Sequence, residues 1–456
     1  MESAQIKVLK SYPKMTNKLI MLYSRKILLT FLSVFLASHL FGQAKKLSLQ
    51  ESVDYALQNH PDIQNKKLGE KYADAQVDET RSIGIPQLNA NVQFVNNIER
   101  QVFVFPNPAT GKNEPIRIGN KYSTVGTLSA SWLALDATYF VGLKAAEGFT
   151  ELSRLQTNMT SRDVIVNVTK AYYLVLITSE NVSLLEQNIK TLEAILSQTE
   201  GYYKNGFAEK LDVDRLNLTL SNLNIQLEGL KDQKGITEQL LKLNIGMSVD
   251  TEIELSDNLE SLYKSSIEGY AQSFNPKERI EYKLMNSQLQ LTALDKKRFE
   301  LAKYPNLAFF ANYQQNNFGE EIDFSKWYGN SFWGFRVGIP IFSGFNNKAQ
   351  LKKRSINMDQ TVNSMNMFEN AAKLEANQAI IRYDRSVKTI ELQKKNLELA
   401  NEILRISSVK LKEGIGSSLE ITNAQQEVKT SQTNYLNAVY DLLNAQIELK
   451  KAFGKI

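Results

Sequence analysis

From Val164 onward, Val164, Val168, Ala171, Val175, Thr178, Val182, Leu185, Ile189, Leu192 and Leu196 recur in alternating steps of four and three residues. This spacing is the seam of a helix packed on other helices in coiled-coil fashion. It predicts one helix from about Ala137 to Tyr202, roughly 100 Å long at 1.5 Å per residue. A helix of that length with so narrow an apolar stripe cannot be the core of a compact globule. The pattern stops at Gly206 and resumes as Leu216, Leu220, Leu223, Leu227 and Leu230, up to Gly246. An antiparallel helical hairpin with Gly206 at its tip follows.

The pattern occurs twice. Sliding YYKNGFAEKLDVDR along the chain by 208 residues puts Gly206 on Gly414, Leu211 on Leu419, Asp212 on Glu420 and Gly246 on Gly454, so the chain is a tandem duplication. After an N-terminal segment 1–43, the first repeat spans 44–246, with a strand hairpin at 86–136 and its tip at 203–215. A connector fills 247–275. The second repeat spans 276–456, with a strand hairpin at 305–343 and its tip at 411–423. Helix starts are marked by a capping-box pattern at Ser48 and Glu51, by Pro61 beside His60, and by Asn275, Pro276 and Glu278. His60 reads as a helix-boundary residue without chemistry. The second long helix is expected from about Phe345 to Leu411 and the last from about Ser418 to Phe453.

Between helices the period changes to two. After Pro86, Leu88, Ala90, Val92 and Phe94 alternate with Gln87, Asn89, Asn91 and Gln93; in the returning strand Leu128, Ala130 and Trp132 alternate with Thr127, Ser129 and Ser131. A loop rich in proline and glycine is expected from Asn107 to Gly119. In the second repeat a strand starts at Pro305, a polar loop runs from Asn316 to Asn330, and Trp333, Phe335, Val337 and Ile339 face away from Gly334, Arg336 and Gly338. No hydrophobic core could use the amide-bearing faces, but a water-filled lumen could, and about ten residues suits a tilted strand crossing a bilayer. Arg336 is expected to face that lumen, with a salt bridge at a subunit interface as the alternative. Four strands leave two unpaired edges, which lipid does not tolerate, so the strands must be completed by further copies of the chain.

Composition narrows the function. The chain has no cysteine and two histidines, which removes disulfides, thiolate chemistry and histidine-rich metal sites. The net charge of +5 resides entirely in residues 1–43. That basic segment, followed by the apolar run Ile27 to Phe41 and small residues at Gly42 and Ala44, reads as a secretory signal of an exported protein, with an uncleaved membrane anchor as the alternative. The remainder is neutral, so no nucleic-acid partner is indicated. No nucleophile with a base, phosphate loop or ligand cluster points to an enzyme, and no cofactor or metal is expected. Three classes of function remain: a membrane conduit; a periplasmic coiled-coil adaptor or scaffold, against which the four two-faced strands argue; and an exported enzyme, against which the missing catalytic constellation argues.

The chain resembles the TolC-like outer-membrane efflux proteins (the outer membrane factor family) from about residue 47 to 454. The resemblance is carried by LSLQESVDYALQNHPDIQ, GIPQLNANVQF, KYPNLAFFANY, VGIPIFSGFNNKAQ, the two tips and the closing NIG and AFG. It implies a mainly α fold with a membrane β-barrel. The antiparallel hairpins would form a periplasmic α-barrel, and four strands per chain would contribute to a twelve-stranded barrel shared by a homotrimer in outer-membrane lipid. It further implies the exit duct of a tripartite efflux or type I secretion system. The partners would be a periplasmic adaptor (membrane fusion protein) and an inner-membrane RND, ABC or similar transporter. The family's acidic constriction positions match Glu420 and Asn423, the second an amide here, and the first-copy tip supplies Asp212 and Asp214 to the pore constriction instead; Gly206, Leu211, Gly414 and Leu419 would form the tip turns that dock the adaptor. A tyrosine and an arginine that hold the tip closed in relatives fall at Leu411 and Gly416, so that lock is absent. The same residues admit a structural reading, with Ser417 and Glu420 as a capping box and Asp212 as a first-turn acid. Trp132, Trp327, Tyr328, Phe332 and Trp333 would form an interfacial aromatic belt, with ordinary packing as the alternative.

Overall fold

The structure is a computed structural model that describes residues 45–456 except 107, 110 and 264–273. The signal segment and part of the connector lie outside the described residues. The chain runs β1 (Lys45–Leu47), α1 (Leu49–Asn59), α2 (Pro61–Ser82), β2 (Gln87–Asn96), β3 (Val102–Pro106), β4 (Asn113–Arg117), β5 (Tyr122–Leu135), α3 (Ala137–Lys204) and α4 (Lys210–Ile245). It continues as β6 (Ile253–Leu255), α5 (Leu259–Tyr263), a 3₁₀ turn (Pro276–Glu278), α6 (Ile280–Leu301), β7 (Asn306–Gly319), β8 (Tyr328–Gly338), α7 (Asn346–Lys412) and α8 (Ser418–Ala452).

Local chemistry sets the helix starts. Ser48 and Glu51 form both halves of a capping box at α1. The Asp62 amide donates to His60 Nδ1, which makes His60 the N-cap of α2 with Pro61 in the first turn. Asp136 accepts from the Thr138 and Tyr139 amides and starts α3.

Every one of the ten seam residues of α3, Val164 to Leu196, is buried. The lower part of the seam forms a core with Leu216, Leu223 and Leu227 of α4 and Ile421 of α8. The upper part packs around Tyr172 with Leu241, Leu436 and Leu443. The long helices lie side by side in the order α4, α3, α8, α7, with α4 also meeting α8; at the strand end, α2 and α6 pack on α3, and α6 also on α7.

The two border helices differ from the two between them. In α3 the exposed large apolar residues are Phe140, Phe149 and Tyr203, and in α8 only Leu419. In α4 they are Leu211, Leu218, Ile225, Ile236 and Leu243, with Leu240. In α7 they include Met367, Leu374, Ile381, Leu392, Leu399 and Ile406. Both sets advance by sevens with one step of eleven. Most follow a buried residue by two positions, as Leu218 follows Leu216 and Leu374 follows Ala372. At 100° per residue, two positions is most of the way to the opposite face. Each border helix thus carries one apolar stripe packed inside the chain and a second one open.

At mid-height the connector is tied to the chain start. β1 pairs in parallel with β6, and Asp257 accepts from the Leu49 amide at 2.7 Å and from the Tyr172 hydroxyl at 2.9 Å. Nearby, Glu281 on α6 bridges two buried guanidiniums, accepting from Arg162 of α3 at 2.7 Å and from Arg279 at 2.8 Å; Arg279 also donates to Glu375 of α7. Burial disfavours the charged form of Glu281. Hydrogen bonds from Arg279 and Arg162 outweigh that and hold its carboxyl below the ordinary carboxylate range.

The strands form one open antiparallel sheet in the order β2-β5-β7-β8, with β2 and β8 as its edges. Four sequence expectations are corrected. The 107–119 segment is not simply a loop, because β3 and β4 form a hairpin in which Phe103 lies opposite Ile116. The polar loop expected at 316–330 shrinks to 320–327, since the 14-residue β5 keeps pairing with β7 as far as Gly319. The helix expected from Asn275 is a 3₁₀ turn followed, after an extended Arg279, by α6. At α8 only half of the capping box forms: Ser417 Oγ accepts from the Glu420 amide, with no reciprocal bond from the Glu420 carboxylate.

Candidate functional site

The two tips lie together at one end of the helices. Gly206 has φ +78° and Gly414 φ +76°, the left-handed region that other residues adopt only at a cost. Each closes its helix by the same paired bonds: Gly206 N–H to the Tyr203 carbonyl and Phe207 N–H to Tyr202, then Gly414 N–H to Leu411 and Ile415 N–H to Lys410. Past each glycine an apolar side chain points into solvent, Phe207 at 83% exposure and Ile415 at 78%, joined by the exposed Leu211 and Leu419.

The acidic residues do not behave alike. Asp212 is half-buried; one oxygen accepts from the Glu209 amide at 3.3 Å and the other from Ser418 Oγ. Ser418 is fully buried and accepts in turn from Arg215 Nη1 at 2.9 Å. A second link runs from the Tyr202 hydroxyl to the Lys412 carbonyl at 3.1 Å. The first-copy tip is therefore clasped to the second-copy tip at two points. Glu420 and Asp214 are exposed, and neither carboxylate has a hydrogen-bond or ion-pair partner among the described residues. Asn423, also exposed, borders a cavity of about 390 Å³ between α4 and α8 lined by Asn222, Gln226, Gln425 and neighbouring hydroxyls. Sequence reasoning missed Tyr202, Arg215 and Ser418, whose bonds join residues more than 200 positions apart.

Leu411 is half-buried against the lower core. At Gly416 a Cβ would stand 2.7 Å from the Leu411 nitrogen and 2.9 Å from the Lys410 carbonyl carbon. No side chain fits there on this backbone, which gives the missing arginine a local physical cause.

Register fixes the two faces of the sheet, because directly paired residues point the same way. One face carries Leu88, Val92, Leu128, Trp132, Phe309, Trp333, Phe335 and Val337. The other carries Gln87, Asn89, Asn91, Ser129, Asn312, Gln314, Asn330 and Arg336, together with Phe310, Phe332 and Tyr328. A single outward belt of the five aromatics is thus corrected: Trp132 and Trp333 lie on the apolar face, Phe332 and Tyr328 on the polar one, and Trp327 lies in the loop, donating to the Phe324 carbonyl. The period-two reversal between Phe332 and Trp333 separates them. Among the described residues no helix is long and apolar enough to cross a membrane, and no cluster suited to a metal ion occurs.

Comparison with known proteins adds four findings. The profile of a family described as outer membrane efflux protein matches residues 53–247 and 300–455. Nodulation protein T of Rhizobium leguminosarum bv. trifolii is 19% identical over 350 residues, covering 73% of this chain and 72% of that protein. Among solved structures, CusC superposes with a TM-score of 0.71 at 16% identity, over 89% of this chain and 92% of that one. The outer membrane protein VceC of Vibrio cholerae gives 0.67 at 15%, over 89% and 96%.

Proposed function

The chain belongs to the outer membrane efflux protein family and resides in the outer membrane with a periplasmic extension; from this we propose that three copies join edge to edge into one exit duct. The family is one of channels, and no enzymatic step is needed for the role. In this reading β8 of one copy pairs with β2 of the next to close a twelve-stranded barrel, and α7 of one copy lies beside α4 of the next to close the helical tube. A periplasmic adaptor docks on the tips, through Gly206, Leu211, Gly414 and Leu419 with Phe207 and Ile415. An inner-membrane transporter of the RND, ABC or a similar type delivers cargo for efflux or secretion. Asp214, Glu420 and Asn423 line the narrow end, while Asp212 serves the clasp. The two repeats, 44–246 and 276–456, then act as equivalent staves joined by the 247–275 connector.

One observation carries the reading: both borders of the chain, in helix and in strand, are unfinished. The second stripes of α4 and α7 leave Leu218, Ile225, Leu374 and Leu399 in solvent, on helices whose other face is already packed. Exposed apolar surface on that scale marks an interface. The test is the oligomeric state of the full chain in detergent. Trimers that survive mild solubilisation agree with it, and Ile225→Glu or Leu399→Glu should dissociate them while Asn217→Glu, exposed on the same helix as Ile225 but off the stripe, does not. A monomer that stays in solution without detergent would end the proposal.

A further inference from the structure

Across β2, β5, β7 and β8 one side chain is charged, Arg336. It stands on the polar face of β8, opposite Ala308, two residues before the strand ends. Its guanidinium lies 5.9 Å from the centre of the Phe310 ring, and Phe310 meets Phe332 edge to face at 6.4 Å. Phe310 lies across Gly334, where a Cβ would come within 2.9 Å of the ring, so the glycine is the space the ring occupies. Two phenyl groups and a guanidinium thus stand together on a face made mostly of amides, hydroxyls and small side chains, with Leu133 beside Ala308 and with Phe318, Tyr328, Val95 and Val125 toward the far end of the strands.

We propose that Arg336, Phe310 and Phe332 form a recognition shelf for aromatic anions on the lumen wall. The inference rests on the reading above, in which the polar face lines the duct. A salt bridge would be the ordinary use of Arg336, but no strand of the sheet contains Asp or Glu, so an identical neighbour brings none across the barrel seam either. The guanidinium stays hydrated and unpaired on its outer edge, with planar donors suited to a carboxylate or sulfonate. The phenyl rings beside it offer an apolar shelf for an aromatic body, and the Phe310 face already holds the cation in position. Every copy contributes one shelf at the same height, near the helical end of the barrel, where cargo leaving the helical tube first meets the strands.

The test uses the full-length protein in planar bilayers, with naphthalene-2-sulfonate as the probe and methanesulfonate and 2-naphthol as controls for charge and ring alone. The sulfonated ring should reduce single-channel current at concentrations where neither control does. Arg336→Gln should raise the half-blocking concentration about tenfold, the scale of one charge-assisted hydrogen-bonded contact, and Phe310→Leu should raise it by a smaller factor. Equilibrium dialysis of the probe against the purified oligomer should show the same ranking. Normal current with an unchanged block in Arg336→Gln, or equal block by methanesulfonate, overturns the shelf and leaves the duct standing. A purified oligomer that passes no ions overturns both.

Discussion

Asp212 and Glu420 hold matching places in the two tips, yet Asp212 is clasped to Ser418 while the Glu420 carboxylate is open to solvent. Their substitutions should therefore read out differently. Glu420→Ala is expected to raise single-channel conductance or lower cation preference with no change in melting temperature; if conductance and selectivity both stay put, Glu420 only starts a helix. Ser418→Ala should leave the oligomer intact and increase the fraction of time the channel is open, since it removes the shared hydroxyl between Asp212 and Arg215. Glu281 supplies a pH dependence. Its carboxyl is depressed in the folded state, so the stability it confers is complete above the unfolded value of about 4.3 and is lost as pH falls through the lower folded value. Glu281→Gln should flatten that part of the acid unfolding curve. At neutral pH it should cost about 2 kcal/mol by denaturant titration, below the range for a fully buried pair because the side chain keeps 21% exposure. At this scale the sequence was legible where the partner is local, as with Ser48, Asp136 and His60. It was silent on the tip clasp and on the Arg162–Glu281–Arg279 network, whose partners come from distant segments.

Among the elements, the helical tips are the sharpest place to intervene. Gly414→Val forces a β-branched residue to φ +76°, at about 1–2 kcal/mol or more, and should fray the end of α7. Drug or export assays should show lost pump coupling, while native gels show trimers still forming. Loss of trimers instead would mean that the tip belongs to the oligomer contact. The seam of α3 was readable because one narrow stripe repeats for ten positions and all of them are buried. The second stripes of α4 and α7 were not, because two stripes on opposite faces of a helix cancel the one-sided pattern that periodicity detects. In the sheet, Phe310 and Phe332 broke the alternation on the polar face, which hid the shelf and led the five aromatics to be grouped together. The β3–β4 hairpin lay behind a proline and glycine signal, part of which falls inside its strands, since Pro106 ends β3 and Pro115 lies within β4.

For the whole molecule, the duplication made the architecture plain, since a 208-residue offset repeats helix, strand pair, long helix and glycine turn in the same order. What the chain does with its borders needed coordinates, because only they reveal which helices stand outermost. Those borders, β2 with α4 on one side and β8 with α7 on the other, also govern how assembly must proceed. Adding one copy to another satisfies one border of each and leaves the pair with as many raw margins as a lone chain. In the proposed ring the first joining makes one contact and the last makes two at once, so closure is favoured over pairing and leaves no margin. Sedimentation of a dilution series should accordingly show single chains and complete rings, with two-chain species never accumulating.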